Sequence, residues 1–168
     1  TSPASRSYLT QIGKRLIRRL QSKESTIAIV GLGYVGLPLA LRFAQVGYRV
    51  LGIDIDAEKI ASLRDGKSYI EHISSTAVSQ ARANRFEATT GFAGAAEADA
   101  IIICVPTPLG RHREPDLSYV IGTIDELAPY LRQGQIISLE STTYPGTTDE
   151  EIRPRIEARG LAVGANFF

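Results

Sequence analysis

From Thr26 onward, short runs of β-branched and aliphatic residues alternate with longer stretches whose apolar positions recur every three or four residues. Dense apolar runs read as strands buried on both faces, and the 3.6-residue recurrence reads as amphipathic helix. The strands predicted this way are Thr26–Val30 (TIAIV), Tyr48–Ile53, Phe86–Thr89, Ala100–Val105 (AIIICV) and Gln135–Leu139, with a sixth near Leu161–Val163. The intervening helices are Val35–Val46, a short one from the Asp56 cap through Leu63, Ser75–Ala83, Leu117–Leu131 with Asp116 as cap, and Thr148–Arg159. Gly47 and Gly160 are fitting helix stops and Asp65-Gly66 a turn. Ahead of the first strand, Leu9, Ile12, Leu16, Ile17 and Leu20 recur at helical spacing with Lys14, Arg15, Arg18 and Arg19 between them. That helix is expected to lay its apolar stripe on the domain and solvate its basic face, rather than to lie on a membrane.

Strands alternating with helices make βαβ units and a parallel sheet. Right-handed crossovers restrict the result to a doubly wound α/β sandwich of the Rossmann type. The expected division is a leading helix over residues 1–25 and one domain over 26–168.

Composition narrows the field of functions. The 168 residues are 43% hydrophobic and 22% charged, with a net charge of +1, which disfavours an electrostatically driven nucleic-acid binder. No run of about 18 apolar residues predicts a membrane span, and no h-region follows the basic start. The one cysteine, Cys104, excludes an intrachain disulfide and a zinc cluster. His72 and His112 lack metal-like partners and are expected in loops or on the surface. The chain has no methionine, so it is expected to be a processed product or a piece of something longer.

Gly31-Leu32-Gly33-Tyr34-Val35-Gly36 fits G-x-G-x-x-G. The pattern alone is weak; directly after a strand and opening a helix it predicts a dinucleotide site. Gly31 permits the tight turn, Gly33 a close backbone approach to a pyrophosphate, and Gly36 close packing of helix on strand. The phosphates would sit at the helix N-terminus, with the Tyr34 and Val35 amides as donors. Asp54 ends the second strand about 20 residues beyond the glycines, where a carboxylate accepts from both ribose hydroxyls of NAD and repels the 2′-phosphate of NADP. No arginine follows it, so NAD is the expected cofactor. Lys59, a helical turn later, reaches the same region. Capping explains Asp56 well and Asp54 poorly.

Ligands in such sheets bind beyond the carboxyl ends of the strands. The fourth strand ends in Cys104-Val105-Pro106-Thr107-Pro108, where two prolines hold the Thr107 hydroxyl in place. The fifth ends in Glu140-Ser141-Thr142-Thr143-Tyr144-Pro145-Gly146-Thr147-Thr148. Ser141 and Thr142 at the strand end are read as functional, Thr147 and Thr148 as turn and cap residues. Cys104, within an apolar strand, reads as a small buried thiol rather than a nucleophile. Lys67, Arg111 and Arg113 are candidates to meet an anion, or ordinary surface charges.

Taken together, VGLGYVGLPLA (Val30–Ala40), CVPTPL (Cys104–Leu109), REPDLSYV (Arg113–Val120) and LESTTYPGTT (Leu139–Thr148) resemble the UDP-glucose/GDP-mannose dehydrogenase family. SYIEHI (Ser68–Ile73) is similar to its UDP-N-acetylglucosamine-oxidising branch rather than to the UDP-glucose enzymes. The resemblance covers Thr26–Phe168. It implies oxidation of the C6 hydroxyl of a UDP-sugar to a carboxylate with two NAD, through a thiohemiacetal on a cysteine. By the family's pattern Thr142 matches a catalytic threonine near the cofactor and a water, Val105 and Thr107 match cofactor-contacting positions, and Asp54 and Lys59 match the ribose pair. The family's nucleophilic cysteine, with its lysine, asparagine and aspartate helpers, belongs to a later segment that this sequence lacks. The chain is therefore expected to bind NAD without turning over, as part of a cytoplasmic, homo-oligomeric enzyme whose UDP-sugar contacts lie mainly elsewhere. A stand-alone NAD-sensing or protein-binding module is the alternative. A short-chain dehydrogenase is disfavoured, because none of the seven tyrosines has a lysine four residues on.

Overall fold

The computed structural model describes residues 10–109 and 115–168; Leu9, Arg111, His112 and Arg113 lie outside them. Five strands, β1 (Thr26–Val30), β2 (Arg49–Ile53), β3 (Phe86–Thr89), β4 (Ala100–Ile103) and β5 (Ile136–Leu139), form one parallel sheet in the order β3-β2-β1-β4-β5. The helices are α1 (Gln11–Gln21), α2 (Gly36–Gln45), α3 (Ala57–Arg64), α4 (Ser75–Ala83), α5 (Ser118–Leu127) and α6 (Arg153–Glu157). The chain winds from β1 to β3 in one direction and returns across β1 to β4. The switch point therefore falls between β1 and β4, in a doubly wound Rossmann architecture.

Both faces of the sheet are covered, which is why its strands are nearly unbroken apolar runs. Ile27 and Ile29 of β1 pack with Leu37, Ala40, Val50, Val78 and Phe86 on one side. Ala28 and Val30 pack with Ile101, Ile103, Ile124, Leu127, Ile156 and Phe167 on the other.

Several boundaries differ from expectation, mostly at prolines. The strand expected to reach Val105 ends at Ile103. Cys104 still donates to the Val30 carbonyl at 2.7 Å, but Pro106 has no N–H to continue the ladder. The helix expected over Leu117–Leu131 stops at Leu127 and passes into a 3₁₀ turn, Ala128–Tyr130, around Pro129. Asp116 accepts from the Ser118 amide at 2.9 Å. The helix expected from Thr148 opens as a π-turn, Thr148–Ile152, before α6, since Pro154 removes a donor from the regular ladder. Leu161–Val163 is not a strand. The positive-φ glycines Gly160 and Gly164 fold this segment into a tight turn that buries Leu161 and Phe167. Phe168 instead lies along β5, donating to Gln135 and accepting from Ile137 at 3.0 and 2.8 Å.

α1 is docked at the amino end of the sheet, opposite the carboxyl ends of the strands. Arg19 pairs with the buried Asp99 at 2.8 Å, and the Tyr48 hydroxyl donates to the Leu20 carbonyl at 2.7 Å. Leu16 is buried, whereas Ile17 is 38% exposed, so the packed stripe is narrower than the apolar pattern suggests. No helix among the described residues is long and apolar enough to cross a membrane.

Candidate functional site

The carboxyl ends of β1, β2, β4 and β5 open into a cavity of about 610 Å³. Its floor is the turn after β1. Gly31 has φ +91°, and a Cβ there would meet the Cys104 carbonyl oxygen at 2.6 Å, so no other residue fits against the end of β4. A Cβ on Gly36 would strike the Gly31 carbonyl; this glycine lets α2 start directly against the turn. Gly33 differs from both, because no heavy atom lies within 4 Å of its absent Cβ. Among the described residues, the Gly33, Tyr34 and Val35 amides donate to no other backbone group. These donors at the start of α2 form a cradle for an anion.

Asp54 stands beside that cradle at the end of β2, only 8% exposed. Its Oδ2 accepts from the Leu32 amide at 2.8 Å and its Oδ1 from the Asp56 amide at 3.0 Å. Lys59 Nζ is 3.6 Å from the same carboxylate. Asp56 caps α3 through the Glu58 and Lys59 amides, as its position predicts. Asp54 therefore has a structural duty that the sequence does not reveal: it fixes the glycine turn as well as facing the cavity.

The opposite wall comes from the segments after β4 and β5. Val105, Pro106, Thr107, Ser141 and Thr142 all line it. Ser141 Oγ donates to the Val105 carbonyl at 2.7 Å, so its proton is committed to joining the two segments. Thr142 is exposed at the rim. Thr147 is buried, and its hydroxyl donates to the Tyr144 carbonyl at 2.8 Å; it shapes the turn and does not cap the following helix. Burial, followed by the Glu140 carboxylate, pushes the Cys104 thiol up to about 11, in keeping with a structural thiol. No group of residues able to hold a metal ion occurs among the described residues.

Every proposed cofactor residue thus lines this one cavity except Gly36, which packs beneath it. The exposed His72 stacks on Tyr34 with ring centroids 6.1 Å apart, and Lys67 pairs with Asp65 at 3.6 Å, outside the cavity. Sequence reading misses Ile55, which is 75% exposed, and also Phe92, Tyr119 and Thr123. Tyr119 and Thr123 sit four apart on α5, a spacing indistinguishable from core periodicity.

The sequence profile of the UDP-glucose/GDP-mannose dehydrogenase family, NAD binding domain, matches residues 25–167. The UDP-N-acetyl-D-glucosamine 6-dehydrogenase of Pseudomonas aeruginosa is 35% identical over 147 residues, covering 87% of this chain and 34% of that protein. Among solved structures, the UDP-N-acetyl-mannosamine dehydrogenase of S. aureus superposes with a TM-score of 0.80 at 34% identity, over 85% of this chain and 34% of the other. A ternary complex of GDP-mannose dehydrogenase from P. aeruginosa gives 0.79 at 32% identity, over 84% of this chain and 34% of the other. The chain spans about a third of the length of the curated relatives it matches.

Proposed function

This chain belongs to the UDP-glucose/GDP-mannose dehydrogenase family, whose NAD-binding domain it carries, and from that premise we propose that the whole protein oxidises the C6 hydroxyl of a UDP-sugar to a carboxylate, with UDP-N-acetylglucosamine as substrate. NAD, when bound, supplies a hydride acceptor, and two equivalents match the four-electron change from alcohol to acid. The observation that carries the reading is the buried Asp54 carboxylate beside the open Gly33 cradle.

The residues present fit that cofactor. The free amides of Gly33, Tyr34 and Val35 at the start of α2 suit a pyrophosphate. Asp54 has lone pairs left after its two backbone bonds to accept from ribose hydroxyls, with Lys59 beside it. Its charge disfavours a 2′-phosphate. Val105, Pro106 and Thr107 line the wall that would face the reacting end of the cofactor, and Thr142 at the rim would offer a hydroxyl to orient substrate or water. Cys104 serves packing, and the thiol that attacks the aldehyde belongs to another part of the protein.

Supporting UDP-N-acetylglucosamine is the P. aeruginosa relative, a UDP-N-acetyl-D-glucosamine 6-dehydrogenase. The mannosamine epimer is the competing substrate, named for the S. aureus structure. Both reactants are multiply charged phosphate esters that do not cross a bilayer unaided, which supports a cytoplasmic reaction. The proposed working form is a homo-oligomer.

NAD should raise the melting temperature of the chain by mass action, with a smaller effect from NADP. Asp54→Ala should cost about 1.5–3 kcal/mol of NAD affinity, the range for a hydrogen bond to a charged group. Equal stabilisation by NADP would contradict the role given to Asp54. Assays of the full-length protein on UDP-N-acetylglucosamine, its mannosamine epimer and UDP-glucose decide the sugar; activity on UDP-glucose alone would overturn the assignment.

A further inference from the structure

The glycine turn is gripped from a second side by a residue that belongs neither to the turn nor to the cavity lining. Leu32, between Gly31 and Gly33, is fully buried. Its N–H is held by Asp54 Oδ2 at 2.8 Å, and its carbonyl accepts from the hydroxyl of Tyr69. Tyr69 lies between α3 and α4, packed against the core on the α2 side of the sheet. Its ring sits under Lys59, whose Nζ is 6.0 Å from the centroid, and Lys59 is in turn 3.6 Å from Asp54.

The consequence follows from peptide geometry. The Leu32 carbonyl and the Gly33 N–H belong to one planar trans unit and point in opposite directions. An oxygen drawn towards Tyr69, outside the cavity, turns the Gly33 N–H the other way, towards the open side where Gly33 lines the cavity. Glycine allows both signs of φ at little cost, so an untethered peptide here is free to rotate. A rotated peptide would present the Leu32 oxygen, a partial negative charge, to the anion.

Resting on the reading of this cavity as an NAD site, we propose that Tyr69 is a positioning residue: its hydroxyl holds the Leu32–Gly33 peptide in the orientation that presents the Gly33 amide to the cofactor's pyrophosphate. Burial, followed by the charges of Asp54 and Asp56, raises the Tyr69 pKa, so the phenol keeps its proton and remains a donor.

The test is Tyr69→Phe, which removes the hydroxyl and leaves the ring under Lys59. Affinities of the chain for ADP-ribose and for adenosine are compared by calorimetry or NMR titration. Adenosine keeps the ribose that Asp54 would hold and lacks the pyrophosphate. The variant should bind ADP-ribose roughly threefold to tenfold more weakly, the worth of one hydrogen bond, with adenosine unchanged. Equal ADP-ribose affinity, or an equal loss for both ligands, overturns the role. A measurement on the unsubstituted chain stands beside the variant: the Gly33 amide resonance should move on adding ADP-ribose and stay in place with adenosine, and failure of that contrast also overturns it. If the unsubstituted chain binds no NAD, the reading of the site itself fails.

Discussion

The Ser141 hydroxyl donates to the Val105 carbonyl at 2.7 Å, tying the segment after β5 to the segment after β4 on one wall of the cavity. Ser141→Ala should therefore loosen two segments at once. The expected stability loss is about 0.5–1.5 kcal/mol, the net worth of one hydrogen bond. Hydrogen exchange should quicken at Val105 and Thr107 as well as around 141, and Ser141→Thr should restore both. Faster exchange confined to residue 141 and its neighbours would refute the tie between the two segments.

At the other end of the sheet, the same kind of cross-link depends on pH. Burial pushes the Asp99 carboxyl up, but bonds from Arg19, the Thr26 amide and Arg132, with the Arg19 charge, outweigh it and hold the group below its ordinary value. A carboxyl depressed in the folded state contributes stability above its unfolded pKa, about 3.9, and loses it as pH falls through the folded value. Asp99→Asn should thus be less stable than the parent at pH 7, with the gap closing below about pH 4. Urea unfolding between pH 7 and 2.5 checks this, and a gap that does not change with pH would exclude the mechanism. Faster amide exchange in α1 should accompany the substitution, because Asp99 is the anchor for Arg19.

Cys104 lies at the junction of the β4 end and the cavity, where a reactive thiol would be tempting to invoke. With its pKa pushed up to about 11, its thiolate fraction at pH 7 is on the order of 10⁻⁴. Iodoacetamide should label it about two orders of magnitude more slowly than a free thiol of ordinary pKa near 8.5. Cys104→Ala should retain NAD affinity within about twofold. Labelling at the rate of a free thiol would refute the structural assignment.

β1, α4 and β3 fall on the residues that the apolar pattern predicts. β1 is buried along nearly its whole length, α4 buries Val78 and Ala81, and β3 buries Phe86, so hydrophobicity and secondary structure change together. The pattern misleads where hydrophobicity continues but hydrogen bonding cannot, as at Val105 before Pro106, and where Pro154 interrupts the ladder of an expected helix, as in the π-turn Thr148–Ile152. Leu161 and Phe167 are apolar because they fill the core from a turn, which periodicity cannot separate from a strand. In the site, Gly31 and Gly36 are legible because local backbone geometry demands them, and Gly33 and Asp54 because they stand at fixed spacings from that turn. Tyr69 and Phe92 are not, since their relation to the glycine turn and the cavity exists only once β1, β2 and β4 are side by side.

The two flanking roles within the glycine turn can be separated by the same substitution at different positions. A methyl at Gly33 enters open space, and a methyl at Gly36 enters the Gly31 carbonyl. Gly33→Ala should therefore leave thermal stability close to the parent, within about 0.5 kcal/mol for a change away from packed contacts. It should still weaken NAD binding by tenfold or more, because the methyl occupies the space that the pyrophosphate needs. Gly36→Ala should cost about 1–3 kcal/mol of stability through overpacking of α2 on the turn, and its loss of NAD affinity should follow from that distortion. Thermal denaturation with and without NAD separates the two. A Gly33→Ala protein that melts early, or that binds NAD as the parent does, would show that the open face of Gly33 is not where the phosphates lie.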